Sequence, residues 1–98
     1  AFMKPSVALQ ENRNLIRQVV AAHRASDPRV FGSVIHGSDE DGSDLDLLVE
    51  PTSETTLFDI GAIRDELYQG LKVPVDVLTP NALPDSFRDL VLAEAVPV

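Results

Sequence analysis

With 98 residues the chain has material for one core, so a single small domain spanning 1–98 is expected. Sixteen acidic residues against eight basic ones give a net charge of −8, which works against unaided nucleic-acid binding because phosphates are gripped by Lys and Arg. The absence of cysteine excludes disulfides, thiol nucleophiles and cysteine metal sites, and no apolar run reaches the length of a membrane span or of a signal peptide's core; a soluble, cytoplasmic protein is expected.

Ala1-Phe2 ahead of Met3 reads as an appended pair, with Met3 the native start. From Ser6 to about His23 the apolar residues Leu15, Ile16, Val19 and Val20 recur as one helical stripe, with Pro5 and Ser6 suited to its start. Arg13, Arg17 and Arg24 fall on the exposed face of this helix, and His23, on the apolar side, reads as a partly buried structural histidine. Ser26-Asp27-Pro28 breaks the helix, and Arg29-Val30-Phe31 enters a first strand. Gly32-Ser33 then turns the chain with small residues that leave backbone N–H groups open to an anion, a candidate phosphate cradle. The loop from Ser38 to Ser43 lies between Gly37 and Gly42 and is polar, with Asp39-Glu40-Asp41 as a solvated turn. A calcium loop does not fit, because aligning Gly42 with the invariant glycine puts Gly37 at the first ligand position and Leu48 at the last.

Ten residues separate Ser33 from Asp44-Leu45-Asp46. On a strand, Asp44 and Asp46 project to one side while Leu45 and Leu47 point to a core. Carboxylates held that close raise each other's pKa and stay ionised together only with a cation between them, for which Mg2+ is the natural hard-oxygen partner. If the first two strands pair antiparallel, Ser33 is brought to Asp44 and Asp46, and a phosphate site meets a metal site.

Pro51 closes the strand that runs from Leu45 to Glu50. Thr56 with Asp59 forms a capping box for a second helix; Ile60, Ile63, Leu67 and Leu71 make its buried stripe, Gly61 weakens it, and Gly70 is the natural terminator. Tyr68, the single tyrosine, is expected to pack. A third strand follows over Val73 to Leu78. Strand, helix, strand implies a right-handed crossover and a parallel pair. Asp76 interrupts that strand, and a carboxylate between Val75 and Val77 is costly to bury unless the neighbouring metal site partners it. Leu83, Phe87, Leu90 and Val91 suggest a terminal helix starting near Asp85 and ended by Pro97. These elements make an α/β (α+β) fold, a two-layer domain with a mixed three- to four-stranded sheet and helices packed on it.

Gly32-Ser33-Val34-Ile35-His36-Gly37, the spacer, and Ser43-Asp44-Leu45-Asp46-Leu47-Leu48-Val49 together resemble the signature of the DNA polymerase beta-like nucleotidyltransferases, and within them the minimal nucleotidyltransferases. His36 stands where that family usually has Arg; it is either a surface loop residue or a short substitute near the triphosphate. The resemblance implies transfer of a nucleoside monophosphate from a triphosphate such as ATP. It implies Asp44 and Asp46 as ligands of a pair of Mg2+ ions, with Asp76 as the third catalytic carboxylate and Gly32 and Ser33 at the β- and γ-phosphates. It also implies an antitoxin paired with a HEPN-domain toxin, with AMP passed to a tyrosine of that partner. Two alternatives stand beside it: an antitoxin acting by contact alone, and adenylylation of a small molecule or an RNA end. An oligomer stays open.

Overall fold

The computed structural model describes residues 3–98; Ala1 and Phe2, the expected appended pair, lie outside the described residues. The expected first helix is two: α1 (Pro5–Glu11) and α2 (Arg13–Ala22). They part at Asn12, whose φ is −132° and whose side-chain amide donates to the Ala8 carbonyl at 2.9 Å. That local bond is how asparagine competes with helix continuation. Strand β1 (Ala25–Phe31) begins earlier than expected, because Asp27-Pro28 sits inside it as an irregularity between Ser26 and Arg29 rather than ahead of it. Asp27 takes a left-handed φ of 49° there, and a bulge is one of the few places a strand tolerates proline.

The chain continues through α3 (Ser33–His36), β2 (Leu45–Pro51), α4 (Leu57–Leu71), β3 (Val75–Leu78), a 3-10 turn at Pro80–Ala82, α5 (Arg88–Glu94) and β4 (Val96–Pro97). The four-stranded sheet has the order β3-β2-β1-β4. As expected, β1 and β2 are antiparallel and β2 and β3 parallel; β4 adds an antiparallel strand against Arg29 and Val30. Pro97 therefore belongs to a strand and does not end the last helix, which is capped by Ala95.

The capping box of α4 is complete: Thr56 Oγ1 accepts from the Asp59 N–H at 3.3 Å and Asp59 Oδ2 accepts from the Thr56 N–H at 2.8 Å. Gly70 does not terminate this helix. It lies within it, where a Cβ would meet Leu15 Cδ2 at 2.7 Å, so the glycine serves the close approach of α2, and Lys72 takes the left-handed cap at φ 62°. Continuation of the helix past Gly70 puts Leu71 into the core.

The main core gathers Ala8, Leu9, Ile16 and Val20 from α1 and α2, Ile63 and Leu67 from α4, and Val30, Leu45, Leu47, Val49, Val75 and Val77 from the sheet. Leu48 alternates to the other face, where it is buried with Leu83 and Val91 and covered by Phe31, Leu78 and Ala95. Of the residues expected to anchor the last helix, Leu83 and Val91 are buried, whereas Phe87 and Leu90 are 43% and 56% exposed. Among the described residues no helix is long and apolar enough to cross a membrane.

Candidate active site

The site lies where β1 ends and β2 and β3 begin. Along β2, Leu45, Leu47 and Val49 are fully buried while Asp46, between the first two, turns to the other face and is half-buried. Asp46 pairs in register with Asp76 of β3 on one side and with Phe31 of β1 on the other. In a parallel pair, residues in register carry side chains to the same face, so the two carboxylates stand side by side. Asp44, just ahead of β2, is exposed.

Three effects raise the Asp46 carboxyl to about 6 from its ordinary value: burial first, then the negative charges of Asp76 and Asp44. Both other expected carboxylates therefore act electrostatically on Asp46. Asp76 itself corrects an expectation. It is exposed, so it needs no partner to offset burial; β3 is an outer strand, and this side chain faces solvent beside the site.

Gly32, which follows Phe31, takes φ 78° and ψ −144°, a region in which residues with a Cβ are strained. Space imposes the same choice. A Cβ at Gly32 would sit 2.2 Å from Asp46 Oδ2, so the glycine lets the end of β1 pass directly against the carboxylate. Ser33 then opens the short helix α3 instead of a simple turn. The Ile35 and His36 N–H groups both return to the Gly32 carbonyl, at 3.1 and 3.2 Å, whereas the Ser33 and Val34 N–H groups, in the first turn, have no acceptor within the helix.

Several other polar residues singled out in the sequence have structural partners. His36 Nε2 contacts Glu94 Oε2 at 2.8 Å, a tie from α3 to α5. His23, partly buried as expected, pairs with Glu66 of α4. Arg17 does not stand free on its helix face, since its Nε donates to the Val98 carbonyl at 3.0 Å. Asp39 departs from the solvated-turn expectation: its Oδ2 accepts from the Ser6 N–H at 2.9 Å, at the start of α1, and that bond is the main reason its carboxyl lies below the ordinary range. Glu94 had no signal in the sequence, because 58 positions separate it from His36.

Among the described residues no group of three or more ligating side chains is already gathered around one point. The donor chemistry nevertheless fits a divalent cation: carboxylate oxygens are hard ligands, and the repulsion that lifts Asp46 is the charge deficit a cation would relieve.

A nucleotidyltransferase domain matches residues 13–98. The chain belongs to that family. A Methanocaldococcus jannaschii protein named as a candidate protein adenylyltransferase is 32% identical over 90 residues, spanning 92% of this chain and 97% of its own. A solved structure described as a candidate minimal nucleotidyltransferase superposes with a TM-score of 0.84 at 36% identity, covering 95% of each chain. The antitoxin–toxin pair MntA-HepT (TM-score 0.67, 17% identity, 90% of this chain and 69% of that one) and a toxin-antitoxin with AMP-PNP (0.74, 18%, 88% and 71%) share the fold. The chain is thus a nucleotidyltransferase of minimal type, with the four-stranded mixed sheet of that fold.

Proposed function

We propose that this nucleotidyltransferase acts as one minimal domain that moves AMP from ATP, with Mg2+, to a hydroxyl of a protein partner of the HEPN toxin class. The observation that carries the reading is the register of Asp46 against Asp76 with Gly32 pressed on the Asp46 carboxylate. Gly32 and Ser33 hold the β- and γ-phosphates through the free N–H groups at the start of α3. Asp44, Asp46 and Asp76 would hold the Mg2+ pair, which when bound supplies charge neutralisation at the phosphates and lowers the pKa of the attacking oxygen. Asp76, being exposed, is open to an incoming hydroxyl and orients or deprotonates it.

A protein acceptor is favoured over RNA by the net charge of −8, which repels phosphates and steers a basic partner. The shared fold with antitoxin–toxin pairs and the resemblance to a protein adenylyltransferase support the same reading. The test is co-incubation of the protein with ATP, Mg2+ and the toxin-class product of a neighbouring gene, with intact-mass analysis of the partner. An AMP adduct is expected with wild type and none with Asp44→Asn plus Asp46→Asn. Full neutralisation of the partner without any adduct would establish the contact-only antitoxin instead. Adducts found only on a small molecule or an RNA end would move the acceptor away from protein.

A further inference from the structure

An in-line displacement requires the attacking oxygen to enter opposite the departing pyrophosphate. Across the sheet β2 lies between β1 and β3, so Gly32 and Ser33, after the end of β1, stand on one side of Asp46 and Asp76 stands on the other. With the leaving group at β1, the acceptor enters over β3. This strand pairs only with β2, and its outward backbone groups have no strand partner among the described residues.

Beside that edge lies a recess of about 270 Å3 lined by Arg64, Asp65, Tyr68, Pro74 and Val75. It has room for one side chain, being smaller than the roughly 300–1,000 Å3 of small-molecule sites. Its wall is bonded to the site, because the Pro74 carbonyl accepts from the Leu45 N–H at 2.9 Å, one residue from Asp44. Val75 precedes Asp76 on the strand, its side chain buried on the helix-facing side while Asp76 is exposed on the other. Two of its residues are unspent by the fold. Tyr68, expected to pack, is 50% exposed; the Arg64 side chain, one turn earlier on the same helix face, is 63% exposed, and among the described residues its ion-pair partner is Asp65 alone, at 3.8 Å.

We propose that this recess receives the acceptor: an extended, hydroxyl-bearing protein segment lies along β3 and seats one apolar or aromatic side chain against Tyr68, Pro74 and Val75. Arg64 engages a carboxylate or carbonyl of the segment. The neighbouring residue of the extended segment projects to the opposite face, and its hydroxyl then stands at Asp76. In the transfer, the hydroxyl oxygen bonds to the α-phosphorus and the bond to the bridging oxygen breaks; pyrophosphate leaves with that electron pair, and the hydroxyl proton passes to Asp76. This assignment rests on the protein-adenylyltransferase reading above and adds to it the surface that selects the acceptor.

The test uses Tyr68→Ala and Arg64→Ala, both at exposed positions, in two measurements. In the adenylylation assay, KM for the protein acceptor should rise about tenfold, a loss of ~1.4 kcal/mol, while Kd for a non-hydrolysable ATP analogue changes less than about twofold. Separately, titrating labelled wild type with N-acetyl-tyrosine amide should move the backbone amide signals of Val75 and Tyr68 saturably, and Tyr68→Ala should abolish the shifts. Unchanged acceptor KM in both variants overturns the assignment and leaves the transferase reading intact. Loss of ATP-analogue affinity overturns it too, by making the recess a base-binding site. If wild type transfers AMP to no protein, the transferase reading fails, and the titration alone decides the recess: amide signals of Val75 and Tyr68 that stay still overturn it.

Discussion

The two faces of β2 show opposite uses of one strand. Leu45, Leu47 and Val49 face α1, α2 and α4 and are completely buried, so each adds burial free energy of about 1.5–3 kcal/mol. Asp46, between two of them, is pushed up to about 6 by partial burial and two neighbouring carboxylates, so its ionised form opposes folding. The strand's helix-facing side holds the domain together, and its other side gives up part of that stability to a cluster of like charge. A cation bridging these charges would return the free energy withheld in its absence.

The largest effect that separates the faces should come from Asp44→Asn with Asp46→Asn. AMP transfer should fall by roughly 10²–10³-fold or more, as when electrostatic stabilisation of a transition state is removed, while the melting temperature does not drop. On the helix-facing side, Leu47→Ala should cost about 2–5 kcal/mol of stability in urea denaturation, with ATP-analogue affinity per folded molecule retained. A double mutant that lost stability, or a Leu47→Ala variant that lost only binding, would erase the distinction between the faces.

Asp46→Asn alone should sharpen it through pH. A carboxyl whose folded value is about 6, against ~3.9 unfolded, binds more protons in the folded state between those values. The Asp46 contribution to metal-free stability should therefore be fullest below the unfolded value and decline as pH rises through the folded one. Asp46 is half-buried and solvent screens it, so the decline should be on the order of 1 kcal/mol. Thermal melts in chelator should show this slope as the difference between wild type and Asp46→Asn, with the higher melting temperature at pH 7 in Asp46→Asn.

Asp39, by contrast, is a carboxylate that stabilises. Removing its bond to the Ser6 N–H by Asp39→Ala should cost about 1 kcal/mol, the usual worth of a lost helix cap, seen as a lower urea midpoint with an unchanged slope. Its carboxyl is held low, so its contribution is present above the unfolded value and fades as pH falls through the folded one, the reverse of Asp46. The smallest expected effect is at Glu94. Glu94→Ala frees His36 and removes a negative charge from the α3 side of the site, and should tighten ATP-analogue binding by a factor of about two to five, the scale of an exposed ion pair. Unchanged affinity would assign His36 to the surface alone.

Local chemistry made most of this legible in the sequence. Strand alternation placed Leu45 and Leu47 inward and Asp46 outward, the Thr56–Asp59 capping box marked the start of α4, and strand, helix, strand required β2 and β3 to run parallel. All three depend on neighbours within a few positions or on chain handedness, which sequence displays directly. The misses share a different cause. Asn12 divided the first helix by a bond to its own Ala8, an option that periodicity does not register. Gly70 looked like a terminator by composition, yet its meaning lies in a contact with Leu15 on another helix. Phe87 and Leu90 had the spacing of a buried stripe and remain half-exposed, outside the small cluster that Leu48, Leu83 and Val91 form on that face.

The sequence itself supplied the candidates for phosphate and metal chemistry: Gly32, Ser33, Asp44, Asp46 and Asp76 are the polar and small residues that bracket apolar strands. How they act on one another was decided by the tertiary structure. Register alone sets Asp76 beside Asp46, the passage of β1 leaves no room for a Cβ at Gly32, and long-range contacts commit Asp39 to a helix end and His36 to Glu94. Side-chain chemistry is a property of one residue. Distance, exposure and the pKa that follows from them belong to pairs, and only folding selects the pairs.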